Sequence, residues 1–275
     1  ILEGALEPRD IHAIGYNAHF MYPEQGGINH LVNGIAHSLK NKIRTQCHVV
    51  SIDSNRKTIM LDSGQTEPYE YLITTMPLND LLVRIKRGAH SPYAEYANKL
   101  MCNTVININM GIALDDPLQC HWVYYPEKKF HFFRVGFPHT LHNMAPQGCM
   151  SMSAEVAVLN KVDKVHINDI VRKTTCSLKK LFRIPHNSIL FQHVLTLDHA
   201  YVIYDEWRGK YVPTIHNQLK KQSIFSIGRY GAWRYSSMQD DIIDGQSTAC
   251  SIVSLTNTTM PRTPRQHRNS LKERE

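Results

Sequence analysis

The feature that most constrains this chain lies near its end, in Ile224-Phe-Ser-Ile-Gly-Arg-Tyr-Gly-Ala-Trp-Arg-Tyr-Ser-Ser-Met-Gln-Asp-Asp-Ile-Ile-Asp-Gly-Gln-Ser-Thr-Ala-Cys-Ser-Ile252. A short apolar run stops at Gly228 and Gly231, passes a loop of aromatic residues and arginines, and enters a helical pattern near Gln239. That pattern carries Ile242, Ile243, Gln246, Ala249, Cys250 and Val253. A strand that ends at glycine and delivers a helix N-terminus to the same crevice presents free N–H groups there. This arrangement suits a phosphate or a polar ring edge.

The beginning has a similar texture. In Phe20–Leu39, the residues Ile28, Leu31, Val32, Ile35 and Leu39 fall at i, +3, +4, +7 and +11, which predicts a helix with one apolar face. Gly26 and Gly27 stand just before it. A glycine pair there permits close backbone approach to an anion or ring, although a tight turn is the plainer reading. Cys47–Asp53 and Lys57–Asp62 alternate with period two and read as strands; Asp62-Ser-Gly-Gln65 supplies a turn. The segment Tyr69–Thr75 is nearly all apolar at Tyr71–Ile73, as expected of a strand buried on both faces, and runs into Thr74-Thr-Met-Pro-Leu78.

From about Asn79 the pattern changes. Val105–Leu114, His121–Tyr125, Phe130–Gly136 and Met150–Val158 read as strands of an antiparallel sheet, and Asn168–Phe182 as a helix with Asn168 at its N-cap. No fixed-period repeat is present. Arg134 sits in an apolar strand, where an unpaired charge costs several kcal/mol, so a phosphate or carboxylate partner is expected.

Composition excludes several classes. With 42% apolar and 20% charged residues, and no apolar run of 18, the chain is globular with no membrane-spanning segment. It starts at Ile1 without a signal-peptide pattern, as expected of a trimmed or partial chain. Of the +7 net charge, the tail 260–275 contributes +3, from Arg262, Arg265, Arg268, Lys272 and Arg274 against Glu273 and Glu275. That tail reads as solvated and disordered, and no nucleic-acid partner is expected. The six cysteines are dispersed, which predicts reduced thiols and a cytoplasmic location. No His/Cys grouping at zinc spacing, Gly-x-Ser-x-Gly or phosphate-binding Walker loop occurs.

Taken in order, the aromatic-Tyr-Pro-x-x-Gly-Gly-helix opening, the Val49-Val50-x-Ile52 strand, Tyr69–Leu78 and the terminal Gly228-Arg-Tyr-Gly231 resemble the C-terminal two-thirds of the amine oxidase / protoporphyrinogen oxidase superfamily of FAD-dependent oxidoreductases. Within that superfamily the residues most resemble UDP-galactopyranose mutases and their relatives. The resemblance spans about residues 13–255. It implies an α/β (α+β) fold in which a Rossmann-like FAD-binding domain, here incomplete, carries an inserted antiparallel-sheet substrate domain. The implied divisions are a partial FAD-binding domain at 1–78, the substrate-type sheet at 79–198, a return to the FAD-binding domain at 199–259, and the tail. By the same resemblance, Gly26, Gly27, Val49, Thr75, Met76, Pro77, Gly228, Arg229, Met238, Gln239 and Asp240 contact FAD. Asn17, Tyr124, Arg134, Tyr201 and Tyr235 fall at a sugar-nucleotide site, where Arg suits phosphate oxygens and Tyr adds neutral donors. The family's Gly-x-Gly-x-x-Gly loop is absent from this sequence, and Gly228-x-x-Gly231 is only a fragment of that spacing. The implied function is an FAD-dependent oxidoreductase acting on a small molecule. The alternatives are a mutase-like isomerase using reduced FAD and a non-catalytic, degenerate relative. No residue is singled out for proton transfer.

Overall fold

A computed structural model of the chain describes residues 21–39, 42–86, 91–114, 120–141, 145–159 and 163–259. Asn17 and the basic tail therefore lie outside the described residues. In chain order the elements begin with helix α1 (Asn29–Ser38), followed by strands β1 (Val49–Asp53), β2 (Thr58–Leu61), β3 (Thr66–Pro68) and β4 (Leu72–Thr74). Then come α2 (Leu78–Arg84), β5 (Ile85–Lys86), α3 (Ala94–Lys99), β6 (Cys102–Ile112), β7 (Trp122–Tyr124), β8 (Arg134–Gly136) and β9 (Met150–Val158). The remainder is α4 (Lys164–Leu181), β10 (Ile189–Val202), α5 (Glu206–Lys221), β11 (Ile224–Ser226), the single turn α6 (Gly228–Gly231) and α7 (Met238–Thr259). Two compact units result. Unit 1 takes the described residues up to Gln46 together with Asn103–Ala200, and unit 2 takes Cys47–Cys102 with those from Tyr201 onward.

Unit 2 holds a four-stranded sheet of order β3-β2-β1-β5 and a separate parallel pair, β11 with β4. The alternation seen in the sequence places Ile52 and Leu61 inside. Leu78, Leu81, Leu82 and Ile85 are fully buried, at the spacing of one helix face. Each contributes about 1.5–3 kcal/mol through burial. They form one core with Leu100, Ile215 and Leu219. The texture of the sequence changes at Asn79, but the chain leaves this unit only after Cys102, because α2 and α3 supply part of that core. Helix α5 accommodates Pro213 in its interior, and its N-cap Asp205 accepts from the Arg208 amide.

The parallel pair aligns Ile224 with Leu72, Phe225 with Ile73 and Ser226 with Thr74. The strand at 72–74 exists, but it is not buried on both faces as its composition predicts: Ile73 is 45% exposed among the described residues.

Unit 1 is built on a five-stranded sheet of order β10-β6-β9-β8-β7. One phase of β6 and β9 (Ile106, Ile108, Met110 and Met152, Ala154, Val156) forms the core with Leu178 of α4. Helix α4 starts earlier than Asn168. Its N-cap is Asp163, which accepts from the His166 amide at 2.9 Å. Asp169 is instead an interior position paired with Arg172 and Lys173 at i+3 and i+4. Helix α1 has the predicted position, but none of its residues is buried; its apolar face, Ile28 to Leu39, is 42–51% exposed.

Candidate functional site

The two units each carry a candidate site, made of different materials. In unit 2 the strands β4 and β11 run parallel, so their C-terminal ends lie on the same side of the pair, where open α/β sheets bind ligands. The Ile227 amide donates to Thr74 O (2.9 Å), carrying the pairing into the turn. Gly228 then adopts φ +73°, a conformation L side chains rarely hold. Gly231 is required for space: a Cβ there would lie 3.0 Å from the Thr74 carbonyl oxygen and 3.0 Å from Ser226 Oγ. Ser226 Oγ donates to Gly231 O at 2.8 Å and closes the turn. The Gly228 amide donates to Asp244 Oδ2 (3.3 Å), and Arg234 Nη2 lies 2.9 Å from both oxygens of the same carboxylate. One α7 side chain thus ties the turn to the loop.

The start of α7 is capped by its own sequence. Ser237 Oγ accepts from the Asp240 amide (3.2 Å), while Asp240 Oδ2 accepts from the Ser237 amide (2.8 Å), a reciprocal cap. Ser236 Oγ donates to Asp241 Oδ1 (2.7 Å). Asp240 and Asp241 also place negative charge in the first turn, where the helix dipole favours it. The cap leaves Met238 and Gln239 as the helix's leading amides.

Beside this turn the rings of Tyr201 and Tyr235 stack at 6.2 Å, 10° from parallel. The Arg229 guanidinium lies 5.1 Å from the first ring centroid and 4.6 Å from the second, and its Nη1 donates to Ser236 O (3.2 Å). Tyr204 Oη accepts from the Tyr235 amide (2.7 Å), and Arg208 sits 4.1 Å over the Tyr204 ring while donating to Trp233 O. Behind the turn, His216, Lys220, Arg234 and Asp244 line a cavity of about 250 Å³. Burial pushes the His216 pKa down, with Arg208 adding to the effect and the Ala232 backbone opposing it.

Unit 2 therefore contains ten of the expected residues besides Val49: Thr75, Met76, Pro77, Tyr201, Gly228, Arg229, Tyr235, Met238, Gln239 and Asp240. Val49 opens β1 in the other sheet, where its carbonyl accepts from Arg84 Nε (3.1 Å). The Met76 amide donates to Thr74 Oγ1 (3.2 Å), and Pro77 precedes α2. Tyr204, Arg208, Arg234 and Asp244 were not expected. The signal for Asp244 was present, since it follows Asp240 and Asp241 at helical spacing, but its partners were not legible.

Gly26, Gly27, Tyr124 and Arg134 belong to unit 1. Both glycines take positive φ (77° and 63°) ahead of α1, and the His30 amide donates to Gly27 O (3.0 Å). On the sheet, cross-strand pairing sets Asn107, Glu155, Arg134 and Tyr124 in one row, and Asn109, Ser153, Gly136 and Trp122 in the next. These residues alternate with the core residues and so share the opposite face. Arg134 donates to Glu155 Oε1 from Nε (3.0 Å) and from Nη2 (2.5 Å). The carboxylate partner expected for Arg134 is thus within the chain itself. Its guanidinium also lies 5.9 Å from the Tyr124 ring.

A sequence model described as flavin containing amine oxidoreductase matches residues 3–253. The chain belongs to this family. Among solved structures it is similar to reduced UDP-galactopyranose mutase, with TM-score 0.80 and 22% identity over 92% of this chain and 56% of that one. It is also similar to a redesigned putrescine oxidase triple mutant, with TM-score 0.60 and 15% identity over 84% and 53%. A fatty acid isomerase from P. acnes gives TM-score 0.60 and 11% identity over 82% and 52%. At these identities the likeness speaks for the fold, and the chain spans about half the length of these proteins. No helix among the described residues is long and apolar enough to cross a membrane.

FAD is the cofactor of this family. The residues of the unit 2 turn fit such a group: a glycine just past the end of β11, one of two parallel strands, together with a helix start and the Arg229 guanidinium. No Gly-x-Gly-x-x-Gly loop occurs in the sequence, so the fit concerns the ring-facing part of the cofactor rather than its pyrophosphate.

Proposed function

We propose that this chain carries the flavin-facing turn and the substrate-type sheet of an FAD-dependent oxidoreductase acting on a small molecule. The observation that carries this reading is the turn at Gly228, held bare between Thr75 and Asp241 at the shared C-terminal end of β4 and β11. A bound flavin supplies the electron-accepting chemistry. The chain's own residues do the positioning. Gly228 lets backbone approach, the leading amides of Met238 and Gln239 with the Arg229 guanidinium favour the electron-rich edge, and Thr75, Met76 and Pro77 border the strand end. Asp240 acts through the helix cap rather than by contact. For Val49 the adenine contact, and for Gly26 and Gly27 the flavin contact, rest on the resemblance alone. Tyr201 and Tyr235 offer neutral donors and ring faces to substrate.

Reconstitution of the purified chain with FAD tests this. Yellow protein is expected, with Arg229→Ala lowering flavin affinity about tenfold, the equivalent of about 1.4 kcal/mol, and Arg229→Lys retaining most of it. Protein that stays colourless with excess FAD refutes the reading.

A second reading, an isomerase of a sugar nucleotide working through reduced FAD, draws support from the likeness to reduced UDP-galactopyranose mutase over 92% of the chain. Incubation with UDP-galactopyranose under dithionite tests it. Absence of the furanose product while reduced flavin is bound ends it.

A further inference from the structure

The open face of the unit 1 sheet carries one cation and one anion in its central row, and they neutralise each other. Arg134 and Glu155 are cross-strand neighbours whose side chains are 29% and 14% exposed and joined through two guanidinium nitrogens. A phosphate approaching Arg134 would therefore meet the Glu155 carboxylate beside it, and like charges at that distance repel. Around the pair the face offers neutral hydrogen-bonding groups. Ser153 Oγ donates to Asn107 Oδ1 (3.2 Å), leaving the Asn107 N–H groups as donors. Asn109 has a carboxamide with no partner among the described residues, one position along β6 from core residues on either side. Tyr124 and Trp122, 58% and 37% exposed, stand at the margin of the same two rows as ring platforms.

We propose that Glu155 is a specificity-determining residue. By matching the charge of Arg134, it makes this face a binding site for an uncharged, polyhydroxylated ring and excludes phosphorylated groups. The proposal rests on reading this sheet as the substrate-facing one, and it assigns the part of the substrate that docks here to the neutral class.

The test is a titration of the isotopically labelled full chain, followed by amide NMR, with D-galactose as the neutral probe and inorganic pyrophosphate as the anionic one. Galactose is expected to shift the amides of Asn107, Asn109, Ser153 and Glu155, while pyrophosphate leaves them unmoved. In Glu155→Gln, pyrophosphate should bind the row at least tenfold more tightly than in the parent chain. The double variant Arg134→Met/Glu155→Met should take up no pyrophosphate, because the uptake gained in Glu155→Gln requires Arg134; Glu155→Thr reads the same gain if Glu155→Gln does not fold. A pyrophosphate response on this row in the parent chain, or no response to galactose there, overturns the proposal. Flavin content is read on the same samples. Its absence beside an intact galactose response counts against the oxidoreductase reading alone.

Discussion

The candidate sites of the two units are built on different levels of structure. In unit 2 the site is a matter of backbone. Gly228 and Gly231 leave space, Ser237 and Asp240 cap a helix, and Asp244 fastens the turn to it, all within a short stretch of chain. In unit 1 it is a matter of side chains brought together across strands far apart in sequence: Asn107, Glu155, Arg134 and Tyr124. The difference teaches where each site is fragile. A backbone site fails when an atom is added, and a side-chain site fails when a partner is removed.

The sharpest way to break that comparison is with one methyl group in each unit. Gly231→Ala presses a Cβ against the Thr74 carbonyl, which cannot move without parting β4 from β11, and should cost roughly 3 kcal/mol. The nearest atoms to a Cβ in Gly111→Ala belong to the ring of Phe191, which is 59% exposed and can swing away, so a loss under about 1 kcal/mol is expected despite the tighter overlap. Urea unfolding with hydrogen exchange resolved by unit reads both. An equal loss would mean that the two glycines serve the same purpose.

Removing a partner is the next test. Arg134→Ala strands the mostly buried Glu155 carboxylate and should destabilise unit 1 by roughly 2 kcal/mol, less than a fully buried pair because both groups retain some solvent. Restoring the missing charge balance with Glu155→Met beside Arg134→Met should recover most of this. Unchanged unit 1 exchange in Arg134→Ala would show the pair contributes nothing to the fold.

The smallest effect is a pH dependence confined to unit 2. Burial holds the folded-state pKa of His216 below its ordinary value. The unfolded chain therefore binds this proton more readily. Stability from the neutral ring is complete above about pH 6.5 and is lost as pH falls toward the lowered folded value. His216→Gln should flatten the urea midpoint across that acid range. An equally steep profile in the variant would assign the effect to another group.

What could be read from the sequence follows the same division. The turn from Ile224 to the start of α7 was legible because its signals are local: an apolar run, two glycines, then acidic residues ahead of helical spacing. The strands at 102–112 and 150–158 were visible through alternation, which also gives the face of Glu155. Their register was not, so Glu155 could not be matched to Arg134 by spacing alone. Strand β10 escaped because Gln192, His193, Asp198 and His199 interrupt its alternation, and α5 because Gly209 and Pro213 argue against a helix that tertiary packing of Val212, Ile215 and Leu219 supports. The cap at Asn168 was misplaced because Asp163, five residues earlier, meets the same rule and comes first.

Helix α1 has a consequence of its own for how the chain behaves in water. Ten residues are too few to hold a helix by propensity, and packing normally supplies the remainder. Here the apolar stripe from Ile28 to Leu39 meets solvent, and no side chain of the helix is buried. Its amides therefore open independently of either core and should be among the earliest to exchange with deuterium. Gly26 and Gly27, which lead into that helix, take their geometry from an element with no buried residue of its own.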